Sequence, residues 1–215
     1  MLQHGIPTPQ LGQWMDRLAP VVEQAQDTLR GQATSELARR SGCRQDTRGD
    51  LRLTFLNQEY IVSADDFAVL RADSGEEPSS FVNSLILTYL ANADGTPTSG
   101  RWIGFRDLPD GMFYVQAFQG YTGSRLVREM EGDVQAFRRA AKGTGGQRLD
   151  LGSAGYAFHV LPRVRLALVL WEGDDEFPSQ AQVLFDQTAP HYMPTDGLAI
   201  LGSQLVGAVL KATRG

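Results

Sequence analysis

Cysteine is nearly absent, with Cys43 the one thiol in 215 residues. That excludes an internal disulfide, a four-cysteine zinc site and an iron–sulfur cluster ligated wholly within this chain. It also suits a reducing compartment. Long apolar runs are lacking too. The longest, Leu166–Trp171, falls far short of the roughly 20 residues that span a bilayer. The opening Met1-Leu-Gln-His-Gly-Ile-Pro7 has neither the basic nor the apolar region of a secretory leader. The expected location is the cytoplasm, and no membrane partner is expected. Positive charge is not in excess: 20 Lys and Arg face 25 Asp and Glu, a net −5. A dedicated phosphate-backbone binder needs the opposite balance, so nucleic acid is not an expected partner. The signatures G-x-x-x-x-G-K-[ST], H-E-x-x-H and G-x-S-x-G do not occur, so no familiar catalytic class is advertised. Whether the chain catalyses anything stays open.

What is present is an ordinary globular composition, 42% apolar and 21% charged, enough for a sizeable core. From Trp14 to Leu29 apolar residues recur at helical spacing, with Pro20 predicting a kink. Thr34 to Gly42 reads as a short helix closed by glycine. The wording resembles the first helix of a helix-turn-helix, but Cys43-Arg-Gln-Asp-Thr-Arg-Gly49-Asp50 is turn chemistry leading into a strand, not a recognition helix. Leu51 to Val62 predicts a hairpin turning at Asn57-Gln58, and Phe67 to Leu70 an edge strand. A helix apolar on most of its circumference follows, from about Ser80 to Ala91. Arg101 to Phe105 is a short strand. Phe113 to Glu131 is helical, weakened by Gly120 and Gly123, and Asp133 caps another helix to Lys142. Gly143-Thr-Gly-Gly146 is a linker that resembles a phosphate cradle in composition only. Strands follow at Leu149–Leu151, Tyr156–Val160, Arg165–Trp171 and Gln182–Asp186, then an amphipathic helix from Leu198 to Leu210 in which Gly202 and Gly207 permit close packing.

Strands adjoin turns more often than crossover helices, so the expected class is α+β: a mostly antiparallel or mixed sheet packed by several helices. Residues 1–45 are expected to form a helical extension packed on an α+β domain of residues 46–215, the whole being one compact domain.

Candidate site residues gather in the C-terminal half. His159 falls on a strand, where a histidine satisfied by backbone competes with a ligand role. His191 lies in a loop between Pro190 and Pro194, beside Tyr192, where flanking prolines hold it cheaply. With Trp171 and Phe185, these make a candidate ligand pocket: His159, Trp171, Phe185, His191 and Tyr192. The acidic turn 172–176 lacks EF-hand spacing, yet Glu172 and Asp174, with Asp186 and His191, make a candidate metal set.

Particular wording in the chain resembles an uncharacterised prokaryotic family, the domain of unknown function 3786. It comprises Leu168-Val-Leu-Trp171-Glu-Gly-Asp-Asp-Glu176-Phe-Pro178, Val183-Leu-Phe-Asp186, His191-Tyr-Met-Pro194-Thr-Asp and Leu198-Ala-Ile-Leu-Gly202. Phe55-Leu-Asn-Gln-Glu-Tyr60, Leu90-Ala-Asn-Ala-Asp-Gly-Thr-Pro97 and His159-Val-Leu-Pro-Arg163 are similar too, so the resemblance covers most of residues 35–211. It implies no established chemistry. Some relatives resemble proteins fused to a cysteine-rich iron–sulfur segment, from anaerobes with corrinoid or one-carbon metabolism. This implies an iron–sulfur or corrinoid protein as a partner.

The leading expectation is a non-catalytic accessory protein that binds a small molecule or a metallocofactor of unknown identity. The alternatives are a metal-assisted hydrolase or lyase using Glu172, Asp174, Asp186 and His191, and a protein-interaction module using the Trp14–Leu29 helix.

Overall fold

The computed structural model describes residues 18–213. The fold is α+β with two antiparallel sheets, and the chain divides after Thr96 into two compact units. In the first, helices α1 (Leu18–Leu29), α2 (Thr34–Ser41) and α3 (Ser80–Asn92) accompany strands β1 (Arg44–Gln45), β2 (Leu51–Phe55), β3 (Gln58–Val62) and β4 (Val69–Arg71). The strands form a meander in the order β1-β2-β3-β4. Residues 14–17, expected at the head of α1, lie outside the described residues, and Pro20 does not interrupt the helix between Leu18 and Leu29. The β2–β3 turn sits one residue earlier than expected. Phe55 pairs with Gln58, and Leu56 takes a positive φ of 47°.

Alternation sets the sheet's faces: Leu51, Leu53 and Phe55 are buried, and so are Tyr60 and Val62. Helix α3 is buried through Ser84–Leu87 and again at Tyr89 and Leu90, as its all-round apolar surface requires. Its N-cap is Ser79, whose hydroxyl accepts from the Val82 N–H. The buried Tyr89 hydroxyl donates to the Ser41 carbonyl, so a phenol that would otherwise be stranded in the core ties α3 to the end of α2. Gly42 closes α2 at φ 73°, the left-handed geometry that favours glycine. The chain then enters β1, in place of a recognition helix.

The second unit is built on a five-stranded sheet, order β5-β9-β8-β7-β6. Its strands are β5 (Trp102–Gly104), β6 (Gln147–Leu149), β7 (Ala154–Leu161), β8 (Val164–Trp171) and β9 (Gln180–Asp186). Helices α4 (Val115–Tyr121), α5 (Gly123–Met130), α6 (Val134–Gly143) and α7 (Thr195–Lys211) complete it. Central strand β8 is buried from Leu166 to Leu170. That accounts for an apolar run with no polar alternation, since it packs on both faces. Pro162-Arg163 makes the tight β7–β8 connection, where a missing N–H costs no ladder bond.

Register fixes what each face carries. Leu166, Leu168 and Leu170 stand opposite Phe185, Val183 and Ala181 of β9 and Phe158, Tyr156 and Ala154 of β7. The helices pack here. Phe105 and Phe118 stack at 4.0 Å between ring centroids, with Phe185 at 6.0 and 5.8 Å from them. The expected single helix over 113–131 is two, α4 and α5, broken at Thr122. Gly123 explains why a glycine stands at the break: a Cβ there would lie 2.0 Å from the Ala181 carbonyl oxygen of β9. Gly202 of α7 is similar, its Cβ position 2.9 Å from the Phe118 ring, whereas Gly207 faces open space and supports no close packing.

Replacing Gly123 with alanine forces a backbone shift against β9. We expect destabilisation of about 1–3 kcal/mol, read as a lower urea midpoint, while Gly207→Ala at an open helix position should be neutral or mildly stabilising. Cys43 gives a second check. Burial pushes its thiol up to about 11, against a smaller lowering by the Ser41 hydroxyl. It should therefore resist a thiol-labelling reagent at pH 8 until the protein is unfolded.

Candidate functional site

The sequence-derived pocket residues are not brought together. Phe185 belongs to the aromatic core, and Tyr192, in the loop that leads into α7, is fully buried. His191 is exposed in a single 3-10 turn, Ala189–His191, between β9 and α7. Trp171 ends β8, 38% exposed, while His159 pairs with Arg165 near that strand's start. Six residues of extended strand separate Arg165 from Trp171, roughly 20 Å.

His159 instead joins a row across the opposite end of the sheet. Trp102 pairs with Asp186, Asp186 stands one residue beyond the Leu166–Phe185 pair and so beside Arg165, and Arg165 pairs with His159. The Arg165 guanidinium lies over the Trp102 ring, 5.4 Å from its centroid, a cation–π contact. Partial withdrawal from water, then the Arg165 charge, hold the His159 imidazole below its ordinary pKa, against a raising hydrogen bond to the Pro162 carbonyl.

Each proposed metal ligand with a defined environment already has a structural role. Asp186 is fully buried. Its Oδ1 accepts from the Ser99 N–H (3.1 Å) and hydroxyl (2.9 Å) and from the Thr188 N–H (3.0 Å) and hydroxyl (2.7 Å), while Oδ2 accepts from the Gly100 N–H at 2.7 Å. Burial alone would raise its pKa, but the Thr188, Ser99 and Gly100 hydrogen bonds outweigh it and set the carboxyl below its usual range. Asp174 closes the acidic turn, accepting from the Glu176 and Phe177 N–H groups at 2.9 and 2.8 Å. Those bonds, Phe177's first, lower its pKa. Glu172 follows Trp171, which pairs with Gln180, six residues along β9 from Asp186. Among the described residues no group of three or more His, Cys, Asp or Glu is placed to hold a metal ion.

A concave, charged place in this unit lies elsewhere. A cavity of about 270 Å³ opens between α6 and the β6–β7 hairpin. Helix α6 contributes Gln135, Arg138, Arg139 and Lys142, spaced i, i+3, i+4 and i+7 and hence one face. The hairpin contributes Arg148 and Asp150, with Leu149, Leu151, Ala154 and Tyr156 as an apolar wall. Four cations thus face one carboxylate in a chain whose net charge is −5. Among the described residues none of the four makes an ion pair with a carboxylate.

The scaffold of this cavity is fixed. Arg138 Nη2 donates to the Ser153 carbonyl at 2.7 Å, tying helix to loop. The Ser153 N–H donates to the Leu170 carbonyl, and its hydroxyl accepts from the Glu172 N–H, both at 2.9 Å. Gly152 has φ 61°, and a Cβ there would lie 2.6 Å from Val169 Cγ1. The helix dipole does not supply the charge, because Asp133 already caps α6 through the Gln135 and Ala136 N–H groups. The Gly143–Gly146 stretch is a linker as expected, with the Gly145 and Gly146 N–H groups spent on the Lys142 and Ala141 carbonyls. The cavity cations went unrecognised in the sequence, although the i, i+3, i+4, i+7 spacing of Gln135, Arg138, Arg139 and Lys142 was a readable signal.

Fold and site together define an α+β protein with an electropositive cavity at the edge of its larger sheet. The family model described as domain of unknown function DUF3786 matches residues 33–208, and the chain belongs to that family. No curated protein and no solved structure matches it. No described helix is long and apolar enough to cross a membrane.

Asp186→Asn should destabilise the protein by about 2–3 kcal/mol, because an amide N–H₂ would face donors already converging there. The pH dependence has a definite sign. With the folded pKa depressed, the Asp186 contribution is fully present above the unfolded value of about 3.9 and is lost as pH falls through the folded pKa. Urea midpoints measured between neutral and strongly acid pH should fall more steeply for the parent than for Asp186→Asn.

Proposed function

We propose that this protein is a non-catalytic binding domain for a small organic anion, held in the cavity between α6 and the β6–β7 hairpin. One observation carries the reading: Arg139, Lys142 and Arg148 line one cavity, and among the described residues none of them lies within ion-pair distance of a carboxylate, the Arg139 charge reaching Asp133 only at longer range. Like charges held around a concave surface repel, and the anion that relieves the repulsion binds favourably. Guanidinium groups also present fixed donor forks suited to phosphate and carboxylate oxygens. Neither histidine nor cysteine lines the cavity, and the Ser153 hydroxyl is engaged with the Glu172 N–H. The guanidinium and ammonium groups that line it are suited to holding a negative charge. The lone buried thiol, Cys43, supports a cytoplasmic location.

The test is thermal unfolding of the full chain in rising inorganic phosphate, against chloride at matched ionic strength. A saturable rise in Tm is expected, with stabilisation reaching about 2.7 kcal/mol at one hundred times Kd. In the double variant Arg139→Ser, Lys142→Ser the rise should disappear while the fold, read by circular dichroism, persists. Equal Tm values in phosphate and chloride would overturn the reading.

A further inference from the structure

The anion site has a second wall that charge does not explain. Leu149, Leu151, Ala154 and Tyr156 also line the cavity, and Leu151 is left 37% exposed. A site for a bare inorganic anion would have no use for an apolar side chain held open to water, since covering it is favourable. The wall is also preformed, because Ser153 and Gly152 pin the hairpin loop onto β8. A ligand therefore need not order it, which removes one of the usual costs of binding.

The cationic wall sets the other half of the ligand. Arg139, Lys142 and Arg148 come from two different elements. A single carboxylate, one charge on two oxygens, leaves part of that set without a partner. A phosphoryl group carries about −1.5 to −2 at neutral pH on three acceptor oxygens. The cavity, about 270 Å³, has room for a phosphoryl group with a compact substituent.

We propose that the ligand of this cavity is the phosphate monoester of a small apolar or aromatic alcohol, its phosphate on Arg139, Lys142 and Arg148 and its carbon skeleton against Leu151. The proposal rests on the anion-site reading and fails separately from it. Calorimetric titration of the full chain with phenyl phosphate, inorganic phosphate and phenylacetate distinguishes the outcomes. Phenyl phosphate should bind about tenfold tighter than either of the others, equal to about 1.4 kcal/mol. Leu151→Ser, at a partly exposed position, should reduce the advantage of phenyl phosphate and leave inorganic phosphate unchanged. Arg148→Ser should weaken both phosphates by the same factor. Equal binding of phenyl and inorganic phosphate, or an advantage that survives Leu151→Ser, overturns the apolar half. Phenylacetate binding as tightly as phenyl phosphate overturns the phosphate half. Binding of none of the three overturns the anion site itself.

Discussion

A carboxylate without access to water organises the larger unit. Asp186 ends β9, yet its oxygens gather Ser99 and Gly100 from the chain leading into β5 and Thr188 from the loop leading to α7. One buried charge therefore fixes where the edge strand begins, where β9 stops and how the last helix is entered. An unpaired carboxylate in that position would be prohibitively costly. Five donors, three of them backbone N–H groups that would otherwise be orphans at strand ends, turn the cost into a constraint. Ser99 extends the arrangement by accepting from the Arg101 N–H while it donates to Asp186. One of the four candidate metal ligands of the sequence is thus a residue whose lone pairs are committed to the fold.

Most elements were legible because local chemistry and tertiary packing agree on them. Asp133 caps α6, Gly42 closes α2 in the left-handed region, and the β2–β3 and β7–β8 strand pairs form where alternation predicts, the β2–β3 turn one residue early. The misreadings arose where tertiary contact overrides local preference. A helical period runs through 113–131, but the chain breaks at Thr122 so that Gly123 can sit against the Ala181 carbonyl. Nothing local specifies that contact, because its partner lies on β9. Gly202 and Gly207 look equivalent in sequence, but only Gly202 meets a neighbouring ring. Leu56 takes a positive φ in the β2–β3 turn where an asparagine stands one position later. Strand register, not residue preference, decides that turn.

The candidate site was less legible, for a physical reason. In the sequence, residue types with ligating or pocket-lining chemistry stand out: His159, Trp171, Phe185, His191 and Tyr192. Burial sorts those residues by other criteria. Phe185 and Tyr192 are large, fully buried core residues, and Trp171 and His159 share a sheet without sharing an end. Arginine and lysine on a helix, by contrast, have a ready explanation as a solvated face. What distinguishes α6 is the approach of Arg148 across a sheet edge, and that depends on β6 pairing with β7 in the register that sets Arg148 opposite Tyr156. Tyr156 in turn meets Phe137 of α6 edge-on, 5.8 Å between centroids. The contact that seats the helix on the sheet is therefore also what brings the two sets of cations to one cavity.

The chain's net charge of −5 bears on how such a site works. An acidic protein repels anions at long range, so the cavity's attraction acts only within about one Debye length, roughly 8 Å at physiological ionic strength. Over that distance Arg139, Lys142 and Arg148 dominate, and Asp150 at the same cavity offsets part of their field. A polyanion such as nucleic acid gains most from an extended basic surface, which a net charge of −5 does not favour. A small anion does not: it fits inside the screened zone and encounters only the local charge. The same composition that argues against a phosphate backbone as partner is therefore compatible with a single phosphoryl group as ligand, and it favours the compact one.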